Sequence, residues 1–366
     1  MQFRSILLGL TAGLLATSAY AAPVFNRIAS FPVELNNPKA EATSSEIITA
    51  SEDGLTLVYS DSPAGGIGFI DITDARAPKA AGFLALDGEP TSVTIVGSKV
   101  YAAVNTSESK ANPSGKLVVV DLASKAIEST VELGGQPDSI AHNAAGTILA
   151  IAIENERDED LNDGDIPQAP GGYLVLLSIN GGALDPESLA KVELTGLAAI
   201  APEDPEVEYV SFNGLDEVAV TLQENNEIVI VDGKTGAVKS HFSAGTVSLE
   251  GVDTKKDGAL KFTGKLEDVA REPDAVKWLD DNRLVVANEG DWKGGSRSFT
   301  IFNKDGTVAY ESGPSMEYEA ARLGHYPDAR NKKGVEPEGL EAATYGDTPY
   351  LFVAQERASL VAVYKD

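Results

Sequence analysis

The chain has 366 residues, a formal net charge of −27 and no cysteine. So acidic a surface repels nucleic acid and anionic membranes and attracts cations, which argues against a nucleic-acid partner. Without disulfides the fold must be stabilised by an apolar core. Hydrophobic residues make up 43% of the chain, which is enough to form a large core.

The first 21 residues have the features of a secretory signal peptide. Arg4 is the positive residue, residues 6–16 form an apolar core, and Ala19-Tyr20-Ala21 is an A-x-A cleavage site. The apolar core is too short to span a bilayer comfortably, and no later segment is long and apolar enough. We therefore predict an exported protein (periplasmic, secreted or at the cell surface), with no membrane span and one mature domain over residues 22–366.

From residue 46 onward the chain repeats. Short β-branched or aromatic runs between turn residues predict strands, and helical patterns appear only at Glu187–Lys191 and Met316–Leu323. One repeat, for example, predicts strands at 207–212, 217–223, 227–232 and 237–244. Four-stranded repeats of about 45 to 65 residues are typical of β-propeller blades. Repeat starts near residues 46, 91, 138, 208, 274 and 338 predict an all-β propeller of six blades.

The last repeat ends after its third strand. Residues 25–35, FNRIASFPVEL, resemble the fourth strands predicted at 129–135 and 190–196. We predict that this N-terminal strand completes the last blade and closes the ring, which removes exposed sheet edges. Seven blades remain the alternative if the natural chain is longer.

Acidic residues recur at fixed places in the repeats. One acid precedes the first strand of a repeat, as at Glu46, and another follows the second strand 15 to 18 residues later. Because the second strand runs back to the face where the first began, we expect both sets to cluster at one mouth of the channel. Carboxylates brought together repel one another unless a cation intervenes. The candidate metal ligands are Asp138, Glu154, Glu208, Glu224, Asp274, Glu289, Glu338 and Glu356.

A second acidic group lies in the insertion at residues 156–172. Asp158, Asp160, Asp163 and Asp165 offer hard oxygen ligands of the kind that calcium prefers. The spacing departs from an EF-hand, and a solvated acidic loop is the alternative. With no cysteine and three histidines, the chain favours Ca²⁺ over zinc or copper.

Basic residues give the acidic mouth a competing interpretation. Arg157, Arg297 and Arg357 could neutralise the acids in purely structural ion pairs, or contact a ligand. His325 lies in a polar insertion expected on the same face and is a further candidate ligand contact.

Several segments resemble the choice-of-anchor I domain family of exported propellers. The most specific are LQENN at 222–226, ANEGD at 287–291, and EPEGL at 336–340 followed by ER at 356–357. The resemblance implies a seven-bladed, WD40/YVTN-like propeller that is exported or surface-attached. Members are sometimes labelled alkaline phosphatase-like and usually continue past the ER segment with a further blade. The family brings no established catalytic set.

Two functions compete, and the sequence does not decide whether the protein is an enzyme. The first is a calcium-dependent binding module that presents one loop-rich face to a protein or glycan. The second is a metal-assisted phosphoesterase, alkaline phosphatase-like or phytase-like, acting on a phosphorylated small molecule. The first is favoured slightly, because few basic residues near the mouth could grip phosphate.

Overall fold

The computed structural model describes residues 25–158, 160–327 and 333–366, so the predicted signal peptide lies outside the described residues. Nearly all of the regular structure is antiparallel β-sheet, arranged as six consecutive blades. Strands that follow one another in a blade are hydrogen-bonded neighbours. The predicted six-bladed propeller is confirmed, and the described residues do not form the seventh blade that the family resemblance implies.

Blades 1 to 5 have four strands and blade 6 has three. Blades 1 to 3 comprise β1 (Ile48–Ala50), β2 (Thr56–Asp61), β3 (Gly66–Asp71), β4 (Lys79–Ala85), β5 (Glu89–Val96), β6 (Lys99–Asn105), β7 (Gly115–Asp121), β8 (Ile127–Glu132), β9 (Pro137–His142), β10 (Ile148–Ile153), β11 (Tyr173–Asn180) and β12 (Ala183–Val192). The remaining strands are β13 (Val207–Phe212), β14 (Glu217–Leu222), β15 (Glu227–Asp232), β16 (Val238–Ser243), β17 (Thr246–Val252), β18 (Gly264–Ala270), β19 (Val276–Trp278), β20 (Arg283–Asn288), β21 (Ser298–Asn303), β22 (Val308–Glu311), β23 (Pro337–Tyr345), β24 (Thr348–Gln355) and β25 (Leu360–Lys365).

Aspartates at the ends of third strands fold the chain into tight turns. Asp232 Oδ1 accepts the backbone N–H of Thr235 at 2.9 Å and its hydroxyl at 2.8 Å. In blade 2, Asp121 binds Ser124 in the same way, at 2.9 and 2.8 Å. These carboxylates accept hydrogen bonds from N–H groups of the turn that have no partner in the sheet. Short polar sequences can therefore connect the strands here.

The core lies between neighbouring blades. Each of the first five interfaces buries its own apolar cluster, and the second strands are almost wholly enclosed. All six residues of β14, for example, are buried, whereas the outer strand β16 is largely exposed. The sequence follows this layering, since apolar β-branched residues fill the inner strands and polar residues the outer ones.

The N-terminal segment does not form the predicted strand. Within residues 25–35 the regular structure is the 3₁₀-helix Val33–Leu35, and blade 6 keeps an unpaired edge at β25 among the described residues. That part of the prediction was wrong. Pro32, which has no N–H to donate to a sheet, directly precedes the helix.

Side chains of this segment nevertheless bridge blades 1 and 6. The ring of Phe25 lies edge-on to those of Tyr345, Tyr350 and Phe352, with centroids 5.0 to 5.6 Å apart. At the other end, the amide of Asn36 donates to the hydroxyl of Tyr59 and accepts the N–H of Gly82. Packing by the segment therefore takes the place of the strand pairing that we predicted.

Insertions between strands carry the few non-sheet elements. The helix predicted at Met316–Leu323 is confirmed as α1 (Ser315–Leu323), whereas Glu187–Lys191 lies within β12, where pairing with β11 overrides local helix propensity. Strands β17 and β18 form a separate hairpin between blades 4 and 5, and residues Leu161–Gly164 form a 3₁₀ turn. None of the helices in the described part of the chain is long and apolar enough to cross a membrane.

Candidate functional site

One mouth of the central channel opens into a cavity of about 520 Å³ with a carboxylate-rich wall. Five of the six blades contribute acidic side chains, and hydroxyl groups from blades 1 and 2 complete the wall. The register explains the convergence, because Pro137 pairs with Ile153 and Pro337 with Gln355, at the same end of each hairpin. The acids that line the cavity are Glu46, Asp138, Glu208, Asp274, Glu289, Glu338 and Glu356.

Two of the candidate acids do not line this cavity. Glu154 lies behind Asp138, where the side-chain amide of Gln136 contacts it at 3.4 Å. Glu224 turns away from the channel and forms an ion pair with Arg157.

A one-residue difference in register explains the departure of Glu224. The backbone N–H groups of Glu154 and Glu356 each donate to the carbonyl of the residue two positions before the first-strand acid of the same blade. In blade 4 the equivalent bond is donated by the N–H of Gln223, to Glu206 O at 3.2 Å. Gln223 therefore occupies the place predicted for Glu224, and its amide donates to Glu289 Oε2 at 2.8 Å. Glu224, the next residue of the turn, pairs with Arg157 instead.

A second row of buried acids escaped the sequence analysis. It lies two residues before the channel acids, at Glu206, Glu272 and Glu336, with Gln136 as the blade 3 equivalent. The signal was present as the triplets QPD, EVE, EPD and EPE that open four of the blades.

These second-row carboxylates are satisfied by protein groups. Glu272 accepts the backbone N–H groups of Asp291, Trp292 and Lys293 at 2.9 to 3.0 Å. Glu336 is bound by Arg357 and by Lys333, whose Nζ lies 3.1 Å from Glu336 Oε1. The row therefore has a structural role in fixing the loops around the mouth.

The arginines also bind outside the channel. Arg157, which is 7% exposed, contacts Asp204 at 2.9 Å and Glu206 at 3.2 Å in addition to Glu224. Arg357 bridges Glu336 and Glu356. The structural ion pairs that compete with metal binding are therefore present for the outer acids and for one cavity acid, Glu356.

Four inner acids have no such partner. Within the described residues, no lysine or arginine forms an ion pair with Asp138, Glu208, Asp274 or Glu338. Glu289, in contrast, lies 3.5 Å from Lys333 Nζ. The channel mouth therefore carries a group of carboxylates that form no ion pair with a described lysine or arginine.

Burial and mutual repulsion both disfavour ionisation of these acids. The pKa of Asp138 is raised to about 7, mainly by burial and also by the charges of Glu46 and Glu156. The pKa of Glu338 is raised to about 8, mainly by burial and also by repulsion from Glu289 and Glu356.

The two acids between them along the ring behave alike. The pKa values of Glu208 and Asp274 lie well above their usual range, first because of burial and then because of neighbouring carboxylates. Glu208 is half-buried in the wall of the cavity. The mouth can therefore lower its free energy by binding either protons or cations.

The acidic insertion gathers no comparable site. Asp158 Oδ1 accepts the N–H of Asp160 at 3.0 Å, and Asp165 lies 3.7 Å from Lys293 Nζ. Asp163 adopts a left-handed φ of 57° in the 3₁₀ turn. Across the described residues, no group of three His, Asp or Glu side chains has an arrangement that could hold one metal ion.

Two other candidate contacts lie away from the cavity. Arg297 is 1% exposed and pairs with Glu317 of α1 at 3.2 Å, under the helix. His325 is exposed, and its Nδ1 lies 3.1 Å from the carbonyl of Ala358. Neither side chain lines the acidic mouth.

Comparisons with known proteins agree with the fold. The profile of the Choice-of-anchor I domain matches residues 46–294 and 292–366. Virginiamycin B lyase from Staphylococcus aureus superposes with a TM-score of 0.51 at 12% identity, over 87% of this chain and 83% of the lyase. A candidate 6-phosphogluconolactonase from Bacteroides uniformis gives 0.51 and 12%, over 87% and 80%. A search of curated proteins finds no significant match.

We predict that Arg157 is essential to the wall of the mouth. Replacing it in Arg157→Met leaves Asp204, Glu206 and Glu224 buried without a cation, which should cost about 3–5 kcal/mol in the free energy of unfolding measured with urea. The control is Arg322→Met, whose partner Glu319 is exposed, and it should leave the free energy of unfolding close to that of the wild type. Equal losses in both variants would contradict the assigned role of Arg157.

The raised pKa values predict how stability depends on pH in the absence of divalent cations. In the unfolded chain these carboxyls have pKa values near 4, whereas in the folded protein the pKa is about 7 for Asp138 and about 8 for Glu338. Between these pH values the folded state therefore binds more protons than the unfolded state. Their contribution is fully present below pH 4 and is lost as pH rises through 7 to 8. In EDTA, calorimetry should show a Tm that falls from about pH 5.5 to 8.5.

Glu338→Gln should flatten this fall and raise the Tm at the alkaline end, whereas the exposed Glu203→Gln should run parallel to the wild type. If the Tm of the wild type instead stays constant or rises up to pH 8.5, the raised pKa values of these acids are contradicted.

Proposed function

The chain belongs to the choice-of-anchor I domain family, and we propose that it is an exported binding module that takes cations at the acidic mouth of its channel. The family itself indicates a cell-surface or exported protein. The observation that carries the proposal is the set of four inner carboxylates, Asp138, Glu208, Asp274 and Glu338, that line one cavity without a basic partner.

Calcium is the ion that we propose. Carboxylate and hydroxyl oxygens line the mouth, and calcium accepts such ligands in flexible arrangements that water completes. Because no described group of three acids forms a preformed chelate, each ion would take one or two carboxylates and several waters. Such sites bind weakly, on the order of 10⁻⁴ to 10⁻³ M, which suits an extracellular module.

Neutralising the mouth prepares this face for a further partner. Insertions of the kind that flank the mouth usually carry function on a rigid scaffold. They include the loop at 156–172 and the segments around hairpin β17–β18 and α1. A protein or glycan bound here would meet a surface whose charge depends on calcium.

The phosphoesterase alternative has less support. A phosphate-binding site needs cationic groups directed at the ligand, but Arg157 and Arg357 bind the acids beside them. Arg297 lies under α1 rather than at the mouth. Lys333 lies beside the cavity, but it contacts Glu289, Asp291 and Glu336.

Calorimetry tests calcium binding. If the Kd is about 1 mM, about 10 mM CaCl₂ should stabilise the wild type by about 1.4 kcal/mol relative to EGTA, by mass action. Glu208→Gln and Glu338→Gln should lose most of this gain, whereas the exposed Glu203→Gln should keep it. A gain of equal size in all variants would indicate general charge screening, and no gain in the wild type would reject the calcium site.

A further inference from the structure

The acidic mouth continues into a longer channel. A second cavity of about 680 Å³ shares part of its wall with the first, including Glu46, Ser92 and Tyr209. Beyond the shared wall, the lining is mainly apolar, with the rings of Phe212, Trp278 and Phe352 among aliphatic side chains, and the ion-paired Lys277 and Glu341 also line it. The joined cavities form one space, acidic at one end and lined mainly by aromatic and aliphatic side chains further in.

Asp274 is the buried group that most needs a positive partner. It is 7% exposed and lines the cavity, and the N–H of Ala275 acts favourably on its charge. No side-chain hydrogen bond or ion pair to its carboxylate occurs within the described residues. A buried carboxylate of this kind is costly unless a cation reaches it.

The shape of the carboxylate ring restricts which cation can serve. Acids from five blades face the cavity, yet no three of those described can hold a single ion. One metal ion therefore neutralises only one part of the wall. A flexible chain with several separated positive charges can reach Asp138, Asp274 and Glu338 at the same time.

The aromatic wall suits the rest of such a chain. Tyr209 lines both cavities, beside the acids and at the entrance to the aromatic region. An ammonium group over its ring would gain a cation–π contact, and methylene groups would pack on the rings beyond it. We propose that the ligand of the channel is a linear aliphatic polyamine, with its ammonium groups on the ring of acids; this rests on the proposed function of the mouth as a cation site.

Calorimetric titration of the intact mature protein with spermine tests the proposal, with CaCl₂ as the comparison, at about pH 7 and low salt, where charge–charge attraction is least screened. Spermine should bind at least about ten-fold more tightly than calcium, because several ammonium groups engage several carboxylates at once. Calcium should compete with it, since both bind the same ring.

Matched variants separate the contributions. Asp138→Asn and Glu338→Gln should weaken spermine binding by about three- to ten-fold each, and Glu203→Gln should leave it unchanged. Tyr209→Phe, which keeps the ring, should bind spermine as the wild type does, whereas Tyr209→Leu should bind about three- to ten-fold more weakly. Circular dichroism confirms that each variant is folded before it is titrated.

The outcomes separate this inference from the proposed function. If calcium binds as tightly as spermine, or Tyr209→Leu has no effect, the polyamine is rejected and the calcium module stands. Binding of a short oligolysine but not of spermine also rejects it and indicates a basic protein partner. If neither spermine nor calcium binds, both proposals fail.

Discussion

Repulsion between like charges at one end of the channel is the constraint on which the surrounding structure depends. Each antiparallel hairpin of first and second strands begins and ends at the same face, so an acid repeated in five of the six blades must meet its copies there. Two rows of acids result, and the protein treats them differently. Arginines, a lysine and backbone N–H groups bind the outer row, whereas Asp138, Glu208, Asp274 and Glu338 face the cavity alone.

That division explains how the fold tolerates so much negative charge. The outer pairs are buried and hydrogen-bonded, and therefore hold the loops of the mouth in place. The inner acids keep their pKa values high, so that protons reduce the repulsion when no cation is present. On the function proposed above, a positively charged ligand would bind here in exchange for these protons.

Much of this arrangement could be predicted from the sequence. Strand periodicity and turn residues predict the blades, and the constant spacing of acids such as Asp138 and Glu338 predicts their meeting. Both signals are local and repeat several times, so an error in one copy does not matter. The second row of acids was also visible in the sequence, in the triplets that open the blades. To recognise it, one has to ask which buried groups bind the backbone N–H groups of the loops.

Other features depend on details that a single sequence does not contain. Glu224 and Gln223 are adjacent in the chain, and the β13–β14 hairpin places Gln223 opposite Glu206, so that Gln223 takes the place predicted for Glu224. The N-terminal segment has strand-like composition, yet aromatic contacts of Phe25 and the amide of Asn36 hold it across the seam. Tertiary packing decides both cases, and local propensity does not.

The most direct test is a ¹³C NMR titration of the side-chain carboxyls in the cation-free protein. We expect resonances that titrate near pH 7 for Asp138 and near pH 8 for Glu338, and that disappear in Asp138→Asn and Glu338→Gln respectively. Addition of a bound cation should move these midpoints to lower pH. If both carboxyls titrate below about pH 5, close to the values of free side chains, the inner acids are not the uncompensated group described here.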